Sequence, residues 1–337
     1  MLSNMVASKV FLLAVLSVNC SDSFQLRLPT STSSYTPKTR SIQYPKPISN
    51  NHQHQSSSSR TTATNTPSLC MASSKFICSF DDDDFALPSG EWPYSDADMG
   101  RLDNKDDSSF YDEPRFVTHI DDRAIASLTE YYREEMSKML NDNPDKTKKL
   151  DVLDLCSSWI SHYPTDLQDK FGLVVGIGLN EEELAKNDQL YMHYRQDLNK
   201  NPSLAQFPDN SFDIITNVVS VDYLTKPKEV FTEMNRVLRP GGIALMSFSN
   251  RCFASKAVAM WLQADDIGRM TIIGSYFHYA ARWSAIEALD VKPRQQAPER
   301  PALGELFRNP SAGFAWASTA SAVMNSGDPL FVVKAVK

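Results

Sequence analysis

Between Phe207 and Asn250 the spacing of apolar residues changes twice, and each change marks a new element. Phe212 to Val221 is a short, nearly unbroken run rich in Ile and Val, the pattern of a strand buried on both faces. Pro227 stands where it can open a helix, since the first helical residues have no partner for an N–H. Phe231, Met234, Val237 and Leu238 then give one apolar helical stripe. Pro240-Gly241-Gly242 stops that helix, and Ile243 to Phe248 resumes a buried strand. A strand, helix and strand in this order predict a parallel sheet covered by helices, an α/β fold.

The same reading extends along the chain. Ile120-Asp121-Asp122 offers an N-cap to a helix whose stripe is Ala124, Ile125, Leu128, Tyr131, Tyr132 and Met136. After a polar connection, Leu150–Leu155 is the first strand, Leu173–Ile177 the second, and Tyr191–Asp197 the third. Glu181–Lys186 opens a helix with acids in its first turn, where the dipole favours them. Phe253–Gln263 and Ile267–Ala281 are expected helices, followed by strands at Ser284–Val291 and Pro329–Val336. Residues 298–326, of mixed composition and low periodicity, form an expected insertion. No internal repeat is present.

The first 80 residues differ in kind. Lys9 precedes an apolar run, Val10–Val18, with the layout of a signal peptide and too short to span a bilayer. From Phe24 to Phe80 there is no Asp or Glu, while Ser, Thr and scattered bases dominate, as in a plastid transit peptide. The expected organisation is a signal peptide at 1–23, a disordered transit segment at 24–72, an acidic arm at 73–115 and the main domain at 116–337. The alternative is a secreted protein with a disordered linker. Processing before residue 73 removes one acid and six bases, leaving 40 acids against 28 bases, a net charge of −12. Such acidity argues against broad binding of nucleic acid or anionic membranes. The remaining Cys78, Cys156 and Cys252 form no CxxC pair, which suits a reducing compartment. His193 and His278 show no metal-ligand spacing, so no metal is expected.

Arg236-Val237-Leu238-Arg239-Pro240-Gly241-Gly242, preceded by Phe207-Pro208-Asp209-Asn210-Ser211-Phe212-Asp213, resembles the class I S-adenosylmethionine (SAM)-dependent methyltransferases of the type 11 group. The strings Pro114–Asp122, Ser157–His162, Ser247–Phe253 and Lys256–Trp261 are similar to a branch found in cyanobacteria, plants and algae. The leader likewise resembles the bipartite leaders of algae with secondary plastids. The resemblance implies a Rossmann-like, seven-stranded, mostly parallel sheet with one antiparallel edge strand and helices on both faces. It implies SAM as cofactor and a small-molecule methyl acceptor.

In an open parallel sheet ligands bind beyond the carboxyl ends of the strands. The resemblance places Asp154, Cys156, Ser157 and Ser158 at the family's first motif, although the usual glycines there are absent. It places Gly176 and Gly178 at the end of strand two, where a ribose-binding acid is usual. Asn180 is then the nearest side chain able to bond a diol. Asp197 and Leu198 match the adenine motif, and Ser220 follows strand four. Asp197 has the alternative role of a turn or cap residue. His119 and His162 are the candidate bases, each with a structural alternative, a helix cap and a bond to a backbone carbonyl. Trp159, Tyr223, Asn250 and Arg251 are expected at the substrate mouth; Trp159 could equally fill core and Arg251 be a surface charge. The resemblance implies methyl transfer; the missing motif glycines leave open a non-catalytic binding or assembly protein on the same fold. No GxGxxG follows strand one, which argues against a nucleotide-dependent oxidoreductase.

Overall fold

The computed structural model describes residues 74–292, 311 and 327–337, all belonging to one unit that spans residues 67–337. The expected leader lies outside the described residues, as does the expected insertion apart from Ser311.

Among the described residues eight strands share one sheet: β1 (Lys75–Ser79), β2 (Leu150–Leu155), β3 (Phe171–Gly178), β4 (Met192–Arg195), β5 (Phe212–Val218), β6 (Leu238–Phe248), β7 (Ala285–Asp290) and β8 (Phe331–Val336). The spatial order is β1-β7-β8-β6-β5-β2-β3-β4. Strands β4, β3, β2, β5 and β6 pair in parallel, whereas β8 runs antiparallel between β6 and β7. From β2 the chain winds outward through β3 to β4, then returns to β5 on the other side and winds the opposite way. The switch point therefore lies between β2 and β5.

This is the mostly parallel, Rossmann-like sheet that the resemblance implies, with one strand more. The antiparallel edge is β1, from the expected arm, paired with β7. The final strand β8 is not an edge but fills an inner place.

Helices cover both faces. Helix α2 (Asp122–Asp142), whose N-cap Asp121 accepts from the N–H groups of Arg123 and Ala124, buries Leu128, Tyr131, Tyr132 and Met136 against one face. Helix α4 (Pro227–Val237) buries Val230, Phe231, Met234 and Val237 against the other, together with α6 (Asp266–Ala280). Each such buried side chain contributes roughly 1.5–3 kcal/mol. Helix α4 ends at Val237, before the Pro-Gly-Gly string, and runs directly into β6. There Gly241 adopts φ +77°, and a Cβ on Gly242 would stand 2.8 Å from the Asp213 carbonyl oxygen, so the glycines shape a bulge at the start of β6. Arg239 of that string pairs with Asp151 at 2.8 Å and Asp213 at 2.6 Å, tying together the amino ends of three strands.

The expected helix over Phe253–Gln263 is a correction: only α5 (Ala259–Gln263) forms. Its first half is held by tertiary bonds that a helix would forfeit. The Phe253 N–H donates to the Tyr223 hydroxyl, Val258 N–H to the Asp222 carbonyl, and Ala259 N–H to the Gly100 carbonyl. The Lys256 side chain, fully buried, pairs with Asp103 and Asp107, both at 3.1 Å. Among the described residues there are also two short α-helices, α1 (Asp107–Phe110) in the arm and α3 (Glu181–Lys186) after β3. Among the described residues no helix is long and apolar enough to cross a membrane.

Candidate functional site

A cavity of about 570 Å³ opens at the switch point, walled by the loops after β2, β3, β4 and β5. Residues of the arm and of the segment that follows it, between 107 and 120, and the loop Asn250–Phe253 complete its lining. The arm is held by buried charge. Asp107 accepts from both Arg101 and Lys256, while Asn199, in the loop after β4, donates to Asp107 at 3.0 Å and to the Tyr223 carbonyl at 2.9 Å. Burial pushes the Asp107 carboxyl up, but these donors together hold it below its ordinary range.

The loop after β2 turns on Cys156, which adopts φ +57°, a conformation that favours glycine. Burial raises the Cys156 thiol to about 12, so it is a neutral wall group rather than a nucleophile. Asp154 is almost fully buried and accepts from Ser157 Oγ at 2.6 Å, Ser161 Oγ at 2.7 Å and Thr216 Oγ1 at 3.1 Å. Burial raises its carboxyl to about 6 against the pull of those three hydroxyls. Ser158 Oγ donates to Glu183 at 2.5 Å.

The end of β3 differs from the sequence expectation. A Cβ on Gly178 would stand 2.1 Å from the Ser157 carbonyl oxygen, so no carboxylate can be carried there. Gly176 does not line the cavity; its missing Cβ makes room for Leu190, which would lie at 2.5 Å. Asn180 lines the cavity but is spent on the protein itself. Its oxygen caps α3 by accepting from Glu183 N–H at 3.0 Å, and its amide donates to the carbonyls of Tyr111 and Asp112 at 2.9 and 3.0 Å. The carboxylate that α3 turns to the cavity is Glu183, buried, which also accepts from the Arg115 N–H at 2.7 Å. Sequence reasoning missed Glu183, Asp107 and Arg115. The spacing Asn180-x-x-Glu183 reads as a capping box, in which the Glu bonds back to its own turn; here it faces the cavity instead.

Asp197 closes a turn by accepting from Asn199 N–H at 2.9 Å and Lys200 N–H at 3.3 Å, with its other oxygen 3.9 Å from Lys200 Nζ. Leu198 and Ser220 also line the cavity, and Val219, just before Ser220, sits at φ +42°, a strained angle for a β-branched residue. Of the expected mouth residues, Tyr223 holds the Phe253 loop through its hydroxyl, and Trp159 donates to the Val117 carbonyl at 3.1 Å. Arg251, more than half exposed, donates from Nε to Asp328 at 2.7 Å, which leaves its two outer nitrogens at the cavity mouth. Asn250 accepts only a 3.3 Å bond from Ser249.

Both candidate histidines line the cavity. His162 sits at φ +61°, is buried, and has Nδ1 without a partner. Burial, aided by His119, lowers it to about 4, so it is neutral at pH 7 and a weak proton acceptor. His119 packs edge-on against Phe253 at 5.6 Å, and burial is the chief cause of its lowered value. His193 bonds Glu181 and His278 bonds the Leu87 carbonyl, both away from the cavity. Among the described residues no group of three His, Cys, Asp or Glu is placed to hold a metal ion.

Residues 158–246, about a quarter of the chain, match the family Methyltransf_11, described as a methyltransferase domain. The match runs from the loop after β2 into β6, a segment that contains more than half of the residues lining the cavity. No curated protein matches the chain. Among solved structures, the cyclase SpnF is 17% identical, covering 68% of this chain and 91% of its own, with a TM-score of 0.39. Phosphoethanolamine N-methyltransferase 2 of Haemonchus contortus, in complex with phosphomonomethylethanolamine and S-adenosylhomocysteine, is 15% identical over 68% of this chain and 60% of its own, with a TM-score of 0.35. An S-adenosylmethionine-dependent methyltransferase of Mesorhizobium loti is 14% identical over 63% and 100%, with a TM-score of 0.36.

Proposed function

Taking residues 158–246 as the methyltransferase domain they match, we propose that the protein transfers a methyl group from SAM to a small-molecule acceptor, in a plastid. The observation that carries this reading is the cavity at the switch point, into which the matched segment sends four carboxylate-bearing or hydroxyl-bearing loops. Its lining includes Glu183 and Asp197, carboxylates without a close cationic partner that suit a sulfonium or ammonium cation, and Arg115, which suits a carboxylate. Asp197 and Leu198 would hold the adenine end, and the Cys156–Ser158 turn the amino-acid end. When bound, SAM supplies an activated methyl carbon open to in-line displacement. The protein's own residues position the acceptor and exclude water: the arm and the Phe253 loop complete the cavity lining. His119 is the better proton acceptor, because burial leaves His162 too weak a base at pH 7. The plastid assignment rests on the acid-free, hydroxyl-rich leader.

Calorimetric titration of SAM and S-adenosylhomocysteine into the purified protein tests the reading. Micromolar binding, weakened at least tenfold in Asp197→Ala, supports it; folded protein that binds neither ligand at millimolar concentration overturns it. A non-catalytic binding protein is the second reading, favoured by the commitment of Asn180 to internal bonds. Tight SAM binding with no S-adenosylhomocysteine formed across a metabolite panel would select it.

A further inference from the structure

Two arginines line the cavity, and they are not equivalent. Arg251 is paired with Asp328. Arg115 pairs with no carboxylate. Its Nη2 donates to the Phe110 carbonyl at 2.9 Å, and its Nη1 is buried without any partner. The guanidinium carbon lies 4.5 Å from the ring centre of Phe110, 5.5 Å from Phe253 and 5.7 Å from Tyr111. The lining carboxylates offer it no relief. Asp107 is taken by Arg101 and Lys256, Asp154 by three hydroxyls, and Asp197 by its own turn. Glu183 meets the backbone N–H of Arg115 rather than its guanidinium. Three aromatic faces stabilise the cation only in part. A buried donor pair left idle on a permanent charge is costly unless a ligand completes it. The fork of a guanidinium matches a carboxylate in particular.

We infer that Arg115 is the carboxylate-binding residue of this cavity, an inference that rests on the cofactor reading above. Engaging a ligand requires its outer torsions to turn the buried Nη1 toward the cavity that Arg115 lines. The carboxylate belongs either to the amino-acid end of the cofactor or to the methyl acceptor; the recognising chemistry is the same.

The test titrates S-adenosylhomocysteine and 5′-methylthioadenosine, which lacks the amino-acid end, into the full-length protein, Arg115→Met and Arg115→Lys. Thermal melting confirms that each variant is folded. For the cofactor source, Arg115→Met weakens S-adenosylhomocysteine about tenfold to a hundredfold, leaves methylthioadenosine within about twofold, and Arg115→Lys recovers part of the loss. For the acceptor source, both nucleosides bind all variants alike. Benzoate then raises the melting temperature of the S-adenosylhomocysteine-saturated wild type but not of Arg115→Met. If S-adenosylhomocysteine binds and neither arm responds to Arg115, the inference is wrong and the cofactor reading stands. If folded wild type binds no S-adenosylhomocysteine, the cofactor reading falls and takes the inference with it.

Discussion

Placing an acid at position 178 is the substitution that family resemblance recommends and the structure forbids. Gly178 stands where a ribose-binding carboxylate is usual, so Gly178→Asp looks like a repair. Yet the added Cβ would lie 2.1 Å from the Ser157 carbonyl oxygen and 3.1 Å from Leu184 Cδ2. The obstacle is backbone, so the loop must move by about an ångström to reach van der Waals contact. That loop is pinned by Ser157 N–H to the Ile177 carbonyl at 2.7 Å, Ser157 Oγ to Asp154, Ser158 Oγ to Glu183, and Asn187 to the Ser158 carbonyl at 2.9 Å. Losing two or three of these bonds, at about 1 kcal/mol each and more for those to carboxylates, costs about 3 kcal/mol. In a domain of this size that lowers the melting temperature by roughly 6–12 °C. Gly178→Ala, with the same Cβ and no charge, should lose nearly as much. Urea denaturation of both variants, with S-adenosylhomocysteine titration beside it, makes the measurement. Wild-type stability in Gly178→Asp, together with tighter ligand binding, would falsify the steric argument.

Asn180→Ala removes the cap of α3 and the donor to two arm carbonyls, so it should cost about 2 kcal/mol and speed proteolysis near Tyr111; an unchanged urea midpoint and cleavage rate would count against this pinning role. Lys256→Met keeps the volume of a fully buried side chain but strips Asp103 and Asp107 of a cation, with an expected loss of about 2–4 kcal/mol in urea titration. An unaltered midpoint would show that Arg101 and Asn199 suffice to hold the arm. Asp222 is buried with Oδ2 unpartnered, and burial raises its carboxyl to about 8 despite the pull of Arg269. The folded state therefore holds this proton longer than the unfolded chain, and stability falls as pH rises from the ordinary carboxylate range toward 8, by at most about 1.4 kcal/mol per unit. Asp154, at about 6, contributes in the same direction below that pH, while the lowered His162 acts oppositely between about 4 and 6.5. Between pH 6.5 and 8 Asp222 remains the chief of the three, so Asp222→Asn should flatten the decline in urea midpoint there; an equally steep decline in the variant would remove Asp222 as its cause.

Much of the architecture is local information and was legible from the chain. Leu150–Leu155 and Glu181–Lys186 fall where their composition puts them, because apolar spacing, Asn180 and Asp121 act within a few residues of themselves. The same pattern assigned Phe253–Gln263 to a helix, and half of it is not one, because Tyr223, Asp222 and Gly100 bid for the same backbone groups from distant positions. The strand β1 was missed since five residues at a sheet edge, with Phe76 and Ile77 exposed, carry no clear two-residue period.

The site divides the same way. That the loops after the strands converge follows from parallel topology, and the motif residues Asp154, Cys156–Ser158, Asp197 and Leu198 all reach the cavity. Which of their polar atoms stay free does not follow. Asn180 and Arg251 have the right chemistry for a ligand, yet each is nearer to a protein partner, Tyr111 and Asp328, far from it in sequence. Arg115 and Glu183 are unremarkable in the chain and become neighbours only when the arm folds over α3. Period and turn chemistry, being short-ranged, made the central strands and their helices legible in the chain, and the parallel order that the resemblance implied put the crevice beyond their carboxyl ends. Which charges are satisfied and which face the cavity is settled by the folded arrangement, because these pairings join segments far apart in the chain.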